Sequence, residues 1–154
     1  MQIIELVRRS NIEANKKLMS QYYFLEKLLE ELRQKGLDSE IISSINQKIE
    51  SLNIFLGSDK DLLKLMCKSQ YDILQLLEKE LKIVCKGHYR TMWLSVGMAA
   101  FGLPIGVLFG FSLGSMAYIG LGLPMGMLIG MAYGTFLDKK AQEDGKQLET
   151  ETVL

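Results

Sequence analysis

Residues 91–137 contain no charged side chain and no histidine, and glycine returns in them every fourth position. This run constrains the fold more than any other feature of the chain. A bilayer core about 30 Å thick is crossed by about 20 apolar residues of helix. At 47 residues the run is too long for one crossing and too apolar for a helix of a soluble core. It has the length of two crossings joined by a tight turn, so the sequence reads as that of a membrane protein.

The run repeats itself. Gly102-Leu-Pro-Ile-Gly-Val-Leu-Phe-Gly-Phe-Ser-Leu-Gly114 matches Gly122-Leu-Pro-Met-Gly-Met-Leu-Ile-Gly-Met-Ala-Tyr-Gly134 at an offset of 20 residues. Four glycines keep step in each copy: Gly102, Gly106, Gly110 and Gly114, then Gly122, Gly126, Gly130 and Gly134. A spacing of four puts each set on one face of a helix. Helices in lipid associate by close packing, and a strip of glycine lets backbones approach. In water each glycine costs a helix roughly 1 kcal/mol, so two such strips read as glycine zippers that need packing partners. One pair of strips can close the hairpin on itself or recruit further subunits. The strict repetition favours a homo-oligomer.

The expected spans are about 92–115 and 117–137, joined by an uncharged turn near 115–119. Pro104 falls inside the first span and deprives the Ala100 carbonyl of its helical donor, which predicts a kink at 100–104. Pro124 lies near the start of the second, where proline disrupts less. Trp93, with Tyr89, and Tyr118 stand at opposite ends of the first span, as aromatic belts do. Lys82, Lys86 and Arg90 precede the hairpin, and Lys139 and Lys140 follow it. The positive-inside rule then places both termini in the cytosol.

Residues 1–90 contain no proline and only three glycines, Gly36, Gly57 and Gly87. The expected fold of the chain is all-α: three cytosolic helices in a coiled-coil bundle (1–90), the transmembrane hairpin (91–137) and a polar, mobile cytosolic tail (138–154). Ile4, Val7, Ala14, Leu18, Leu25, Leu28 and Leu32 fall on one helical seam from about residue 2 to 35, with Asn11 and Gln21 as polar interruptions. Ile42, Ile45, Ile49, Leu52 and Leu56 mark a second helix, capped by Asp38 or Ser39. Ser58 and Asp61 resemble a capping box for a third. That helix carries Leu62, Leu63, Met66, Ile73, Leu74, Leu77, Leu81 and Val84 and is expected to continue toward Arg90. Cys67 and Cys85 would then lie about 27 Å apart on one helix, too far for a disulfide. They read as two small buried residues in a reducing compartment.

The chain has 18 basic and 18 acidic residues. Residues 1–90 hold 15 and 13 of them, and the tail 3 and 5. Neither part is basic enough for a nucleic-acid surface. His88 is the only histidine. There is no spacing of metal ligands, no phosphate-binding glycine loop and no nucleophile–base constellation. The expectation is a non-enzymatic protein without metal or cofactor. Thr152-Val153-Leu154 fits the loose carboxylate-capture ending of PDZ-type ligands, a pattern common by chance.

Gly122-Leu-Pro-Met-Gly-Met-Leu-Ile-Gly130, followed by Leu137-Asp-Lys-Lys-Ala141 and Glu143-Asp-Gly-Lys-Gln-Leu148, resembles the short bacterial glycine-zipper membrane proteins. Those proteins repeat GLPIG-type blocks and end in a similar charged tail. The resemblance covers about 92–148 and implies a location, a bacterial inner membrane, rather than an activity. The helical region before it is a departure from that pattern. Together these readings predict a membrane scaffold that self-associates through glycine zippers and displays a cytosolic bundle to a partner protein. The alternative is an oligomeric pore or membrane-permeabilising effector gated by the bundle.

Overall fold

The computed structural model describes residues 2–9, 12 and 15–151. Its elements are α1 (Lys16–Gln34), α2 (Ser39–Asn53), α3 (Asp59–Leu81), β1 (Val84–Lys86), α4 (His88–Ser112), α5 (Ile119–Glu143) and β2 (Gln147–Glu151). They gather into two compact units, Met1–Ile83 with Leu148–Val153, and Val84–Gln147.

In the first unit α1 starts where Asn15 supplies a cap, its side-chain oxygen accepting the N–H groups of Lys17 and Leu18 at 3.2 and 3.3 Å. Leu18, Leu25, Leu28 and Leu32 are buried, as their spacing predicts. α2 buries Ile42, Ile45, Ile49 and Leu52. Asp38 occupies its N-cap position but makes no side-chain cap bond. At the start of α3 the Ser58 hydroxyl accepts the Asp61 N–H at 3.3 Å and donates to the Asp61 carboxylate at 2.6 Å. α3 buries Leu62, Met66, Ile73 and Leu77, and it packs against both α1 and α2. The buried Gln70 is satisfied by donating to the Gln21 carbonyl at 2.8 Å.

Several local expectations are corrected. Residues 2–9 are not helical, so Ile4 and Val7 do not extend the α1 seam and are exposed. Asn11 and Ala14 lie outside the described residues, as does the ending Thr152-Val153-Leu154. Leu56 falls beyond the end of α2 and is 97% exposed. α3 does not continue toward Arg90. It stops at Leu81, Lys82 takes a left-handed conformation (φ 56°), and Gly87 turns the chain with φ 76°. Cys85 is therefore on β1 and buried, whereas Cys67 on α3 is exposed, and no disulfide joins them. The chain is mostly helical but not all-α, because Val84–Lys86 and Gln147–Glu151 are strands. The tail is structured as far as Glu151: α5 runs to Glu143 and β2 follows. Leu148 and Thr150 are buried, and the Glu31 carboxylate accepts the Glu149 N–H at 2.9 Å and the Thr150 hydroxyl at 2.5 Å.

In the second unit β1 meets the chain after α5, the Val84 N–H donating to the Lys146 carbonyl at 3.0 Å. α4 and α5 have 25 residues each and are long and apolar enough to cross a membrane. They start and end a few residues away from the expected spans. The link between them holds Gly114 and a turn of 3-10 helix at Met116–Tyr118. α4 is not uniform. Met98–Gly102 forms a π-helical turn just before Pro104, where the sequence predicts that the α-helical hydrogen bonding fails.

Candidate functional site: the glycine-lined helix pair

α4 and α5 meet backbone to backbone. A Cβ added to Gly126 would lie 2.6 Å from the Gly102 Cα and 2.5 Å from the Gly97 carbonyl oxygen. One added to Gly130 would lie 3.0 Å from the Gly97 Cα and 2.9 Å from the Trp93 carbonyl carbon. A Cβ on Gly122 would meet the Gly106 Cα at 2.5 Å, and one on Gly134 would meet the Arg90 Cα at 2.6 Å. The obstacle is backbone in each case, which cannot swing aside as a flexible side chain does. Gly122, Gly126, Gly130 and Gly134 of α5 thus face α4 along its length, running antiparallel to it.

On α4 the contacting glycines are Gly97, Gly102 and Gly106, and Gly110 is also buried. Gly114 is not part of this face. It sits in the turn with φ 68° and, among the described residues, has no neighbour within 4 Å of an added Cβ. Gly97 replaces it at the other end of the row. Gly97 and Gly102 are five residues apart, a spacing that ordinary α-helix would rotate off the face. The π-helical turn at Met98–Gly102 takes up the extra residue, since its hydrogen bonds span five positions rather than four. Pro104 and Pro124 both lie within the helix pair, Pro104 just after the π turn and Pro124 in the second turn of α5.

The large apolar side chains point away from the contact. Phe111 is 71% exposed and Leu128 66%, with Phe101, Leu103, Leu121 and Phe136 also exposed. Only 22% of the apolar window of each helix is buried. This is the reverse of a soluble core, in which bulky side chains are inside.

One end of the pair is fastened by a polar clamp. Asp138, 9% exposed, accepts the Tyr89 N–H on one carboxylate oxygen and the Arg90 N–H on the other, both at 3.0 Å. These are unpaired donors of the first turn of α4, whose N-cap position is held by Gly87, a residue with no side chain to cap with. Gly134 is one helical turn before Asp138, and its missing side chain lets the carboxylate come within reach. Trp93 packs edge to face on Tyr133 at the same end, ring centres 4.5 Å apart. The side chains of Lys139 and Lys140 are exposed just beyond Asp138, and Arg90 is exposed beside it. Tyr118 is exposed at the opposite end, at the turn. Sequence reasoning missed both Gly97 and Asp138. Gly97 breaks the four-residue period, and Asp138 reads locally as one charge of a polar tail.

Comparison with known protein families, curated proteins and solved structures returns no match for this chain.

Proposed function

We propose that the protein is a non-enzymatic membrane scaffold. α4 and α5 form a transmembrane hairpin in a bacterial inner membrane, and the three preceding helices form a cytosolic coiled-coil bundle that binds a partner protein. The observation that carries this reading is the inverted packing of the helix pair, with glycine inside and phenylalanine, leucine and methionine outside. In water such a surface would expose far more contiguous apolar area than a monomer tolerates. In lipid it is the expected arrangement, since apolar side chains lose nothing there and close backbone contact supplies the association. The charges agree: Arg90, Lys139 and Lys140 flank the ends that lead to the bundle, and the turn at 113–118 has none.

The glycine zipper is then an intramolecular device. Gly97, Gly102 and Gly106 of α4 are used against the four glycines of α5 within one chain, so they hold the hairpin shut before they can recruit a second copy. Homo-oligomers would form through the outer faces instead, and their role is to gather several bundles at one place on the membrane.

The test combines subunit counting in native lipid with conductance of the same preparation in planar bilayers. The scaffold reading predicts discrete assemblies or monomers without conductance. A reproducible single-channel conductance that tracks with the assemblies would contradict it and establish a pore.

A further inference from the structure

The N-terminal segment is held in the way a bound peptide is held. Its contacts are mostly side chain to main chain. Asn46 of α2 donates its amide to the Gln2 carbonyl at 3.0 Å and accepts the Ile4 N–H at 2.9 Å. Asn53, seven residues along the same helix, does the same for the Glu5 carbonyl and the Val7 N–H, both at 2.9 Å. Each asparagine therefore brackets one residue, Ile3 in the first case and Leu6 in the second. Ile3 is 6% exposed and Leu6 half-buried, whereas Ile4, Glu5, Val7 and Arg8 are exposed. A third repeat follows: Arg9 is half-buried, with its guanidinium 5.9 Å from the centre of the Phe55 ring.

The two periods fit each other. Seven residues of α-helix advance about 10.5 Å, and three residues of extended chain span about 10 Å. A chain with the three-residue period of polyproline II, laid along α2, thus presents an equivalent carbonyl and N–H to every seventh helix position, which a β-strand with its two-residue alternation would not. α1 forms the other wall. Arg33 donates to the carbonyls of Ile3 and Ile4 at 3.3 and 3.1 Å, and the Tyr22 hydroxyl donates to the Leu6 carbonyl at 2.8 Å. Groups that grip only main chain read the extended shape and leave side-chain choice open except at the inward positions. Main-chain hydrogen bonds for affinity and side-chain pockets for specificity are how extended peptides are recognised generally. A cleft of about 670 Å³ beside Ile3, bordered by Leu32, Leu37 and Ile42, leaves room at the start of the groove.

We infer that the groove between α1 and α2 is a peptide-binding site, occupied by the chain's own residues 2–9 and able to take in their place a partner's extended segment with the pattern aliphatic-x-x-aliphatic-x-x-Arg. The inference gives a chemistry to the partner proposed for the bundle, but it rests on the contacts of the arm alone. Its test needs no membrane function.

The test uses the full chain in detergent with a protease site inserted after Arg9, so that the protein folds with its arm and the arm is then cut free. A fluorescent peptide of residues 2–9 is added and followed by anisotropy, with circular dichroism as the measure of folding. The expected result is that the nicked chain stays folded and the labelled peptide exchanges in saturably. A peptide carrying Ile3→Asp and Leu6→Asp should fail to bind, and Asn46→Ala with Asn53→Ala in the chain should weaken binding about tenfold or more, as loss of four main-chain hydrogen bonds requires. Unfolding on cleavage would overturn the inference, since the arm would then be core rather than ligand. So would a folded, nicked chain that takes up no peptide. A doubled mass of the uncut wild type in native mass spectrometry, with no uptake of free peptide after cleavage, would instead make the arm of a second copy the occupant and equally overturn it.

Discussion

Asp138 caps Tyr89 from another helix, the carboxylate of α5 accepting this first-turn N–H of α4 at 3.0 Å. A carboxylate at a helix N-terminus gains from both the unpaired N–H groups and the partial positive charge there. Asp138→Ala should therefore destabilise the helix pair by about 1–2 kcal/mol, read as a lowered midpoint of reversible unfolding in detergent micelles. Asp138→Asn should fall between, because its amide oxygen replaces one acceptor while its amide NH2 faces the other donor. An unchanged midpoint for the alanine variant would mean that the clamp contributes nothing.

Two glycines on α5 make an internal comparison. A Cβ on Gly130 would meet the backbone of Trp93 and Gly97, whereas one on Gly120 would meet nothing within 4 Å among the described residues. Gly130→Ala should force the helices apart, at the about 1–3 kcal/mol typical of overpacked sites. Gly120→Ala should be neutral or gain up to about 1 kcal/mol from helix propensity. The same unfolding assay checks both, and equal effects would mean that the glycine face is not the contact.

Burial, with a smaller push from Glu26, raises the Tyr22 phenol above the usual tyrosine value. A proton held more tightly in the folded state stabilises it fully below the ordinary pKa of about 10. That stabilisation is lost as pH rises through the raised value. The phenol donates to Leu6, and a phenolate has no proton to donate. The arm should loosen in this alkaline window, seen as falling anisotropy of a dye attached at Gln2. In Tyr22→Phe the dye should start lower and stay flat across the same window. A parallel fall in both would assign the transition to another group.

The parts of this fold that the sequence made legible are those decided by local periodicity. The seams of α1, α2 and α3 repeat every three to four residues and are buried at most positions inside those helices, Leu63, Leu74 and Leu81 staying half-buried, and Ser58 with Asp61 signals a helix start without tertiary help. The α5 glycines are legible for the same reason. The arm was not, because Ile4 and Val7, three residues apart, also fit a helical seam. What keeps the segment extended is a pair of asparagines more than 40 residues away, which look like solvated polar positions when α2 is read alone. The break after α3 was hidden in the same way: Gly87 alone signals a weakened helix, while the left-handed Lys82 and the buried Val84 and Cys85 depend on tertiary packing. Gly97 was invisible because only a π turn returns a five-residue step to the same face.

The central claim is a hairpin that crosses a bilayer and returns, with both ends of the chain in the cytosol. In a background of Cys67→Ser and Cys85→Ala, single cysteines placed at Lys60, Ser115 and Lys146 report each side through an impermeant thiol reagent. The account predicts that Ser115→Cys, in the turn, labels in intact cells, and that Lys60→Cys and Lys146→Cys label only after lysis. Labelling of Lys60→Cys or Lys146→Cys before lysis, or protection of Ser115→Cys until lysis, would contradict it.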